Sequence, residues 1–357
     1  MRPAAILGYA AVPVGVYQRA APGQEVLEHE LASDVVLDSM SMAGLGKEDI
    51  DGVVVAHPGD LALQQVQSGL ADCVLSVGVH FETGMPTADH LDYSIRLTGD
   101  VDFQAVFGAV PIAWYAMDAQ RYLHEHRVAR ETLASIAIKN REHARRNPLA
   151  QFRGPLSLEQ VLAARPIVEP LGLFEVPGRA DGAAALVVVS EDLARESGRP
   201  YVRIRSRGFE HEGLHQISDR PGDALDYSTL RLASGRALEQ AGLSIQDIDT
   251  FQIYAPCTIV EALATEALGL FPRGQGARAA QAGETRFDGS RPVNTCGGCL
   301  SRGHPPEVAP LYDLVEAMTQ LLGRAQERQV GNANLALTAC ELGKYNAALV
   351  HVLEACR

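Results

Sequence analysis

The 357-residue sequence contains no charge-free apolar run of 18 residues, so it offers no segment long enough to cross a bilayer as a helix. Its first residues, MRPAAILGYAAVPVGVY, lack the small-residue cleavage pattern that follows a secretory apolar region, and a cytoplasmic location is expected. Positive charge is scarce. The 31 Lys and Arg against 44 Asp and Glu leave a formal net charge of -13, with no basic stretch interleaved with aromatics, which argues against a nucleic-acid partner. Cysteine is thin as well: six residues, at 73, 257, 296, 299, 340 and 356, read as free thiols and not as a disulfide framework. Cys296-Gly-Gly-Cys299 is a CxxC without the second ligand pair that a structural zinc requires, so no metal is expected.

What is present is 46% hydrophobic content and 33 glycines, a composition that suits a large α/β core. A unit is written twice. Residues 31–58 (LASDVVLDSMSMAGLGKEDIDGVVVAHP) and 231–256 (RLASGRALEQAGLSIQDIDTFQIYAP) each run apolar residues at helical spacing into Ala-Gly-Leu, then Asp-Ile-Asp, then a β-rich stretch. A second pair, GLADCVLSVG (69–78) and GNANLALTAC (331–340), leads from glycine into a buried strand. AAILGYA near the N-terminus and YVRIRSR (201–207) supply a further strand ahead of each unit. The register marks a duplication. Between the halves lie a helical stretch over residues 110–145 and a buried-strand run AAALVVV (183–189). Alternating strands and helices imply two sheets packed through shared helices, with an inserted loop domain.

The halves differ in one place. After its repeat strand the second half carries RPVNTCGGCLSRGHPPEVAPLYDLVEAMTQLLG (291–323), while the first has only GDLALQQVQSG. LALQQVQSG matches the tail LVEAMTQLLG, so the first half keeps the end of that helix and lacks the strand and turn before it.

Four stretches, NREHARRNPLAQFRGPLSLEQV (140–161), DGAAALVVVSEDLA (181–194), QIYAPCT (252–258) with EALATEALGL (261–270), and above all VNTCGGCLSRGHP (293–305), resemble the thiolase superfamily along nearly the whole chain. The branch they resemble is that of the sterol-carrier-protein thiolases. The resemblance implies a duplicated thiolase fold of two βαβαβαββ halves: 1–200 with a loop domain at about 85–175, and 201–357. It also implies a homodimer and acyl-CoA thioesters as substrates, with coenzyme A entering as part of the substrate and not as a tightly bound cofactor. Three departures stand out. The family's nucleophilic cysteine begins a first-half helix, where this chain is shortened, and Cys73 falls in a core strand instead; the run after Gly-His-Pro is Pro306-Glu307-Val308; and the last-strand turn reads Cys340-Glu341-Leu342-Gly343-Lys344-Tyr345.

His304 is the first candidate catalytic residue, an imidazole presented at a tight glycine turn, whose role by resemblance is oxyanion-hole donor to the enolate. Tyr254, ending the repeat strand opposite Ala56, and Tyr345, following the last-strand turn, are phenols that can bind or transfer a proton. Cys340 takes the position of the family's acid/base cysteine. Arg145 and Arg146 are candidates for CoA phosphates or a solvated helix face, and Asn294, Gly297 and Gly298 line or brace the turn.

Three functions remain open at this point. Retro-aldol cleavage of a β-hydroxyacyl-CoA, as in steroid side-chain aldolases of the thiolase-like type, needs a base and enolate donors but no acyl-enzyme. The others are a non-catalytic subunit of a complex and an acyltransferase with another nucleophile. By resemblance a small OB-fold, zinc-ribbon protein is a possible partner.

Overall fold

The computed structural model describes residues 2–18, 26–55, 60–98, 102, 105–212 and 223–357. The strands are β1 (Ala4–Ala11), β2 (Gly52–Val55), β3 (Cys73–His80), β4 (Pro166–Val168), β5 (Leu171–Gly172), β6 (Gly182–Ser190), β7 (Tyr201–His211), β8 (Thr250–Ile253), β9 (Leu335–Leu342) and β10 (Ala347–Cys356). The helices are α1 (Glu28–Ala43), α2 (Asp60–Ser68), α3 (Thr87–Thr98), α4 (Pro111–Glu125), α5 (Arg130–Arg145), α6 (Leu158–Leu162), α7 (Glu191–Glu196), α8 (Ser228–Ala241), α9 (Thr258–Ala267), α10 (Gly276–Gln281), α11 (Gly298–Ser301) and α12 (Ala309–Leu321). None is long and apolar enough to cross a membrane.

The repeated sequence builds the same structure twice. Gly44 and Gly242 close α1 and α8 in the left-handed conformation, at φ 72° and 67°. The first aspartate of each Asp-Ile-Asp then caps a short turn, with Asp49 Oδ2 accepting from Gly46 N at 2.8 Å and Asp247 Oδ2 from Ser244 N at 2.7 Å. The second anchors the strand to come: Asp51 Oδ2 accepts from Asp72 N and Cys73 N (2.7 and 3.0 Å), Asp249 Oδ2 from Asn334 N and Leu335 N (2.8 and 2.9 Å). Gly8 and Gly208 let α1 and α8 lie against β1 and β7, since a Cβ there would stand 2.1 Å from Ser39 O and 1.9 Å from Ala233 O.

Eight strands form one sheet in the order β2-β3-β6-β1-β7-β10-β9-β8, and β4 and β5 form a separate pair. Read outward from its centre, the sheet repeats, with β2 parallel to β3, β8 parallel to β9, and the other pairs antiparallel. The two expected sheets are therefore one. β1 and β7, the innermost strand of each half, satisfy each other's edges through Ala4↔Ile204, Ala5↔Arg203 and Ile6↔Val202. The shared helix is present: α12, buried along nearly its whole length, packs on β1 and β6 and also on β8 and β9.

The shortened half is visible as a short helix. α2 has 9 residues where α12 has 13, and it follows β2 almost directly. In the second half, residues 254–308 intervene between β8 and α12, and Val293 adds a one-residue parallel bridge beside Phe251. Ala56 and the connection at 58–59 lie outside the described residues. Cys73 is fully buried in β3, its thiol pushed up to about 12 by burial, and is part of the core as expected.

Candidate active site

The turn at 293–305 is held from behind by buried charge. Glu261 on α9 accepts from Lys139 Nζ (2.5 Å) and Asn140 Nδ2 (2.8 Å) of α5 and from Asn294 Nδ2 (2.9 Å). Asn294 Oδ1 accepts from Ile253 N at 2.8 Å, so its whole amide braces the turn and none is left for a ligand. Asn294 sits at φ 54° and is fully buried. Gly297 and Gly298 serve packing: a Cβ on Gly297 would meet Ala144 of α5 at 2.7 Å, and one on Gly298 the Asn294 amide at 3.1 Å. Gly303, at φ 115°, passes so close to Val14 that a Cβ would lie 2.3 Å from Cγ1. Only then does the chain present His304.

His304 Nε2 lies 2.7 Å from Tyr254 Oη, and both side chains remain partly accessible. Tyr254 is fixed through its own N–H, which donates to Ala339 O at 2.8 Å and aligns the end of β8 with β9. Burial pushes the imidazole down to about 4, with Glu82 opposing the shift. Burial, then the nearby Cys299 and Glu341, push the Tyr254 phenol well above its ordinary value. At neutral pH both groups are uncharged, and in the tautomer with the imidazole proton on Nδ1 the phenol donates and Nε2 accepts. Such a pair can relay a proton.

The first half contributes a second wall. Asp181, its carboxylate held low against burial by its hydrogen bonds, accepts from Tyr17 N (2.8 Å), Gln18 N (3.1 Å), Glu82 N (2.8 Å) and Thr83 N (2.9 Å), which fixes the loop after β3. Glu82 in that loop accepts from Ala180 N at 3.0 Å and stands 3.5 Å from His80 and 3.2 Å from His90. Although burial works against it, the His80 contact keeps Glu82 below its ordinary value.

The other candidates fall in different places. Cys340, buried on β9, turns its Sγ to Glu341 O at 3.2 Å, and burial raises its thiol well above the ordinary value. Tyr345, at φ 64° and fully buried, stacks between Tyr227 (4.5 Å between centroids) and Tyr115 (5.9 Å), so it lines the interior and not the accessible face. Arg146 lies over the Phe287 ring at 5.0 Å and near Glu142, while Arg145 is exposed at the end of α5. Sequence reasoning missed Glu82, His80, His90, Tyr115 and Glu341. Glu341 carried the one available signal, a charged residue directly following the candidate Cys340 in a strand with no other charge.

Comparison with known proteins gives the following likenesses. Residues 210–355 match the family model described as thiolase C-terminal domain-like. An acetyl-CoA acetyltransferase of Methanothermobacter thermautotrophicus is 31% identical over 92% of this chain and 85% of its own. The benzoylsuccinyl-CoA thiolase subunit BbsB of Thauera aromatica is 32% identical over 76% of this chain and 69% of its own, and sterol carrier protein 2 of Rattus norvegicus is 28% identical over 95% and 64%. Among solved structures, the Ltp2-ChsH2(DUF35) aldolase superposes with a TM-score of 0.84 at 25% identity, covering 99% of this chain and 98% of that one.

Proposed function

We propose that this chain, which belongs to the thiolase superfamily on the branch of the sterol-carrier-protein thiolases, cleaves the carbon–carbon bond of a β-hydroxyacyl-CoA by a retro-aldol reaction without an acyl-enzyme. The 2.7 Å hydrogen bond between Tyr254 and His304 carries the reading. As the substrate's β-hydroxyl proton moves to Tyr254 Oη, the phenol proton moves to His304 Nε2. The Cα–Cβ bond then breaks to give a carbonyl compound and the enolate of the shortened acyl-CoA. The same proton returns through Tyr254 to Cα, so the pair ends as it began. Arg145, exposed at the end of α5, is the proposed contact for the CoA phosphates.

Acyl transfer is the second reading, suggested by relatives named acetyltransferase and thiolase subunit. It needs a thiolate. In the first half the only cysteine is the core residue Cys73, and burial raises the thiols of Cys257, Cys299 and Cys340 well above their ordinary value and Cys296 to about 11. Steroid side-chain thioesters are the proposed acyl class, as the resemblance of the sequence to thiolase-like aldolases implies. The name of the Ltp2-ChsH2(DUF35) aldolase includes a DUF35 partner, and the exposed Val53, Val55, Leu61 and Leu70 beside the shortened connection support a protein partner here in addition to a homodimer.

Incubation with matched β-hydroxyacyl-CoA and β-ketoacyl-CoA thioesters tests the proposal. Release of a ketone or aldehyde with a shortened acyl-CoA from the hydroxy series supports it. Thiolysis of the keto series, or a stoichiometric acyl adduct on any cysteine after mixing with acetyl-CoA, would overturn it. Co-expression with a DUF35-type protein, followed by size-exclusion chromatography, tests the partner.

A further inference from the structure

Behind the Tyr254–His304 pair lies a second group of ionisable side chains with no place in the proton path above. Its centre is Glu341 on β9, paired with Ala348 of β10 and only 5% exposed. The carboxyl accepts from Tyr115 Oη of α4 and is also hydrogen-bonded to Tyr227, which precedes α8. From the turn after β9, Lys344 reaches toward it but is committed to Asp118 of α4, at 3.0 and 2.9 Å from the two carboxylate oxygens. Tyr345 fills the space between the two phenols that hold Glu341. Cys257 ahead of α9, Cys340 on β9 and Tyr254 at the end of β8 complete the surroundings, and a charge on Glu341 acts on all three.

We infer that Glu341 acts electrostatically in the lyase, as a buried carboxylic acid that stays neutral during turnover and whose ionisation shuts the reaction off. The inference rests on the retro-aldol reading. Its physical basis is that the enolate is an anion made beside Tyr254: a neutral carboxyl leaves that anion unopposed, whereas a carboxylate adds a like charge in a site with little water to screen it. The surroundings favour the neutral form. Burial raises the carboxyl to about 8, Tyr115 and Tyr227 offset only part of this, and Asp118 beside the Lys344 ammonium limits what that cation contributes. A buried carboxylic acid kept neutral near pH 7 beside a forming enolate is chemically sound. No covalent step involves Glu341.

Infrared difference spectra of the purified chain between pH 6 and pH 10 read the carboxyl directly. The wild type is expected to lose a protonated-carboxyl band with a midpoint near 8, and Glu341→Gln to lack that band. In parallel, kcat/KM of the wild type on a β-hydroxyacyl-CoA is expected to fall about tenfold per pH unit above that midpoint, as one group titrates. Glu341→Gln, which has no proton to lose, runs level through the same range, and Glu341→Asp restores an alkaline limb. A wild-type chain with no protonated carboxyl at pH 7, or an unchanged alkaline limb in Glu341→Gln, overturns the inference and leaves the lyase reading standing. The infrared band with no cleavage of any hydroxyacyl thioester sinks the lyase reading and the use of Glu341 with it. Because the infrared test runs on the wild type alone, it holds even where a variant fails to fold.

Discussion

Replacing Glu261 with Gln keeps the shape of the side chain and removes its charge, which isolates what the buried carboxylate does. Its two oxygens receive Lys139 Nζ at 2.5 Å and the amides of Asn140 and Asn294 at 2.8 and 2.9 Å, and Lys139 and Glu261 are only 3% and 2% exposed. In the variant the Lys139 ammonium is left in the interior with neutral acceptors, Val293 O among them at 3.1 Å. Breaking a buried pair from one side costs about 3 to 5 kcal/mol. The sign of the pH dependence follows. Burial already holds Lys139 below its ordinary value, with Glu261 opposing, so without Glu261 the lysine falls further and gives up its proton at a lower pH in the folded chain than in the unfolded one. The unfolded state then binds more protons, and stability rises with pH by up to about 1.4 kcal/mol per unit until the unfolded lysine also titrates. Urea denaturation at pH 7, 8 and 9 should show Glu261→Gln about 3 kcal/mol weaker than wild type at pH 7 and recovering as pH rises. Adding Lys139→Met removes the stranded charge and should restore most of the loss at pH 7. A single variant within about 1 kcal/mol of wild type, with no added pH slope, would refute the account of the turn as held by this carboxylate.

Tyr254→Phe and His304→Ala should each lower turnover on a hydroxyacyl thioester by roughly a hundredfold, and the double variant by little more than the worse single one, because the two act as one relay; additive losses would mean separate roles. Gly303→Ala should destabilise the chain by about 2 kcal/mol, since it forces a side chain into a left-handed position and against Val14, and thermal denaturation reads it directly. The acidic limb of the kcat/KM profile should lie near pH 4, where His304 gains a proton and can no longer accept from the phenol; an acidic limb near 6.5 would place an ordinary, solvated histidine in the mechanism.

The duplication was legible because its signals are local. Gly44 and Gly242 end their helices, and both aspartates of each Asp-Ile-Asp bond to backbone that the same repeat supplies, so register in the sequence becomes register in space. The pairing of Tyr254 with His304 was not legible. Each residue stood out separately, but their contact spans a separation of 50 residues and depends on the Glu261 brace. Glu341 was missed for a stronger form of the same reason. What makes it unusual is Tyr115, 226 positions away on a helix of the inserted region, and nothing in the order Cys340-Glu341-Leu342 announces that neighbour. The burial of Tyr345 was equally hidden, because it depends on Tyr115 and Tyr227, both distant in sequence, whose rings pack near it. The single sheet was hidden because β1 and β7 join through only three residue pairs, too few to leave a pattern.

The proposed absence of a nucleophile-bearing turn from the first half is compatible with the fold. What the first half lacks lies between β2 and α2, at the border of the sheet, whereas the contacts that join the halves run through β1, β7 and α12. α12 is complete and packs on strands of both halves, and α2, short as it is, still packs on β3, β6 and β1. The anchoring aspartates Asp51 and Asp249 both survive, which keeps β3 and β9 in register whatever precedes α2. The residues that hold the candidate site are those of the complete copy, Asn294, Glu261 and the Gly303–His304 turn, with the first half contributing Glu82 through the Asp181 loop. On the proposed retro-aldol reading, a duplicated fold can dispense with covalent chemistry in one copy while the other keeps a paired phenol and imidazole, and proton transfer is the chemistry those two groups provide.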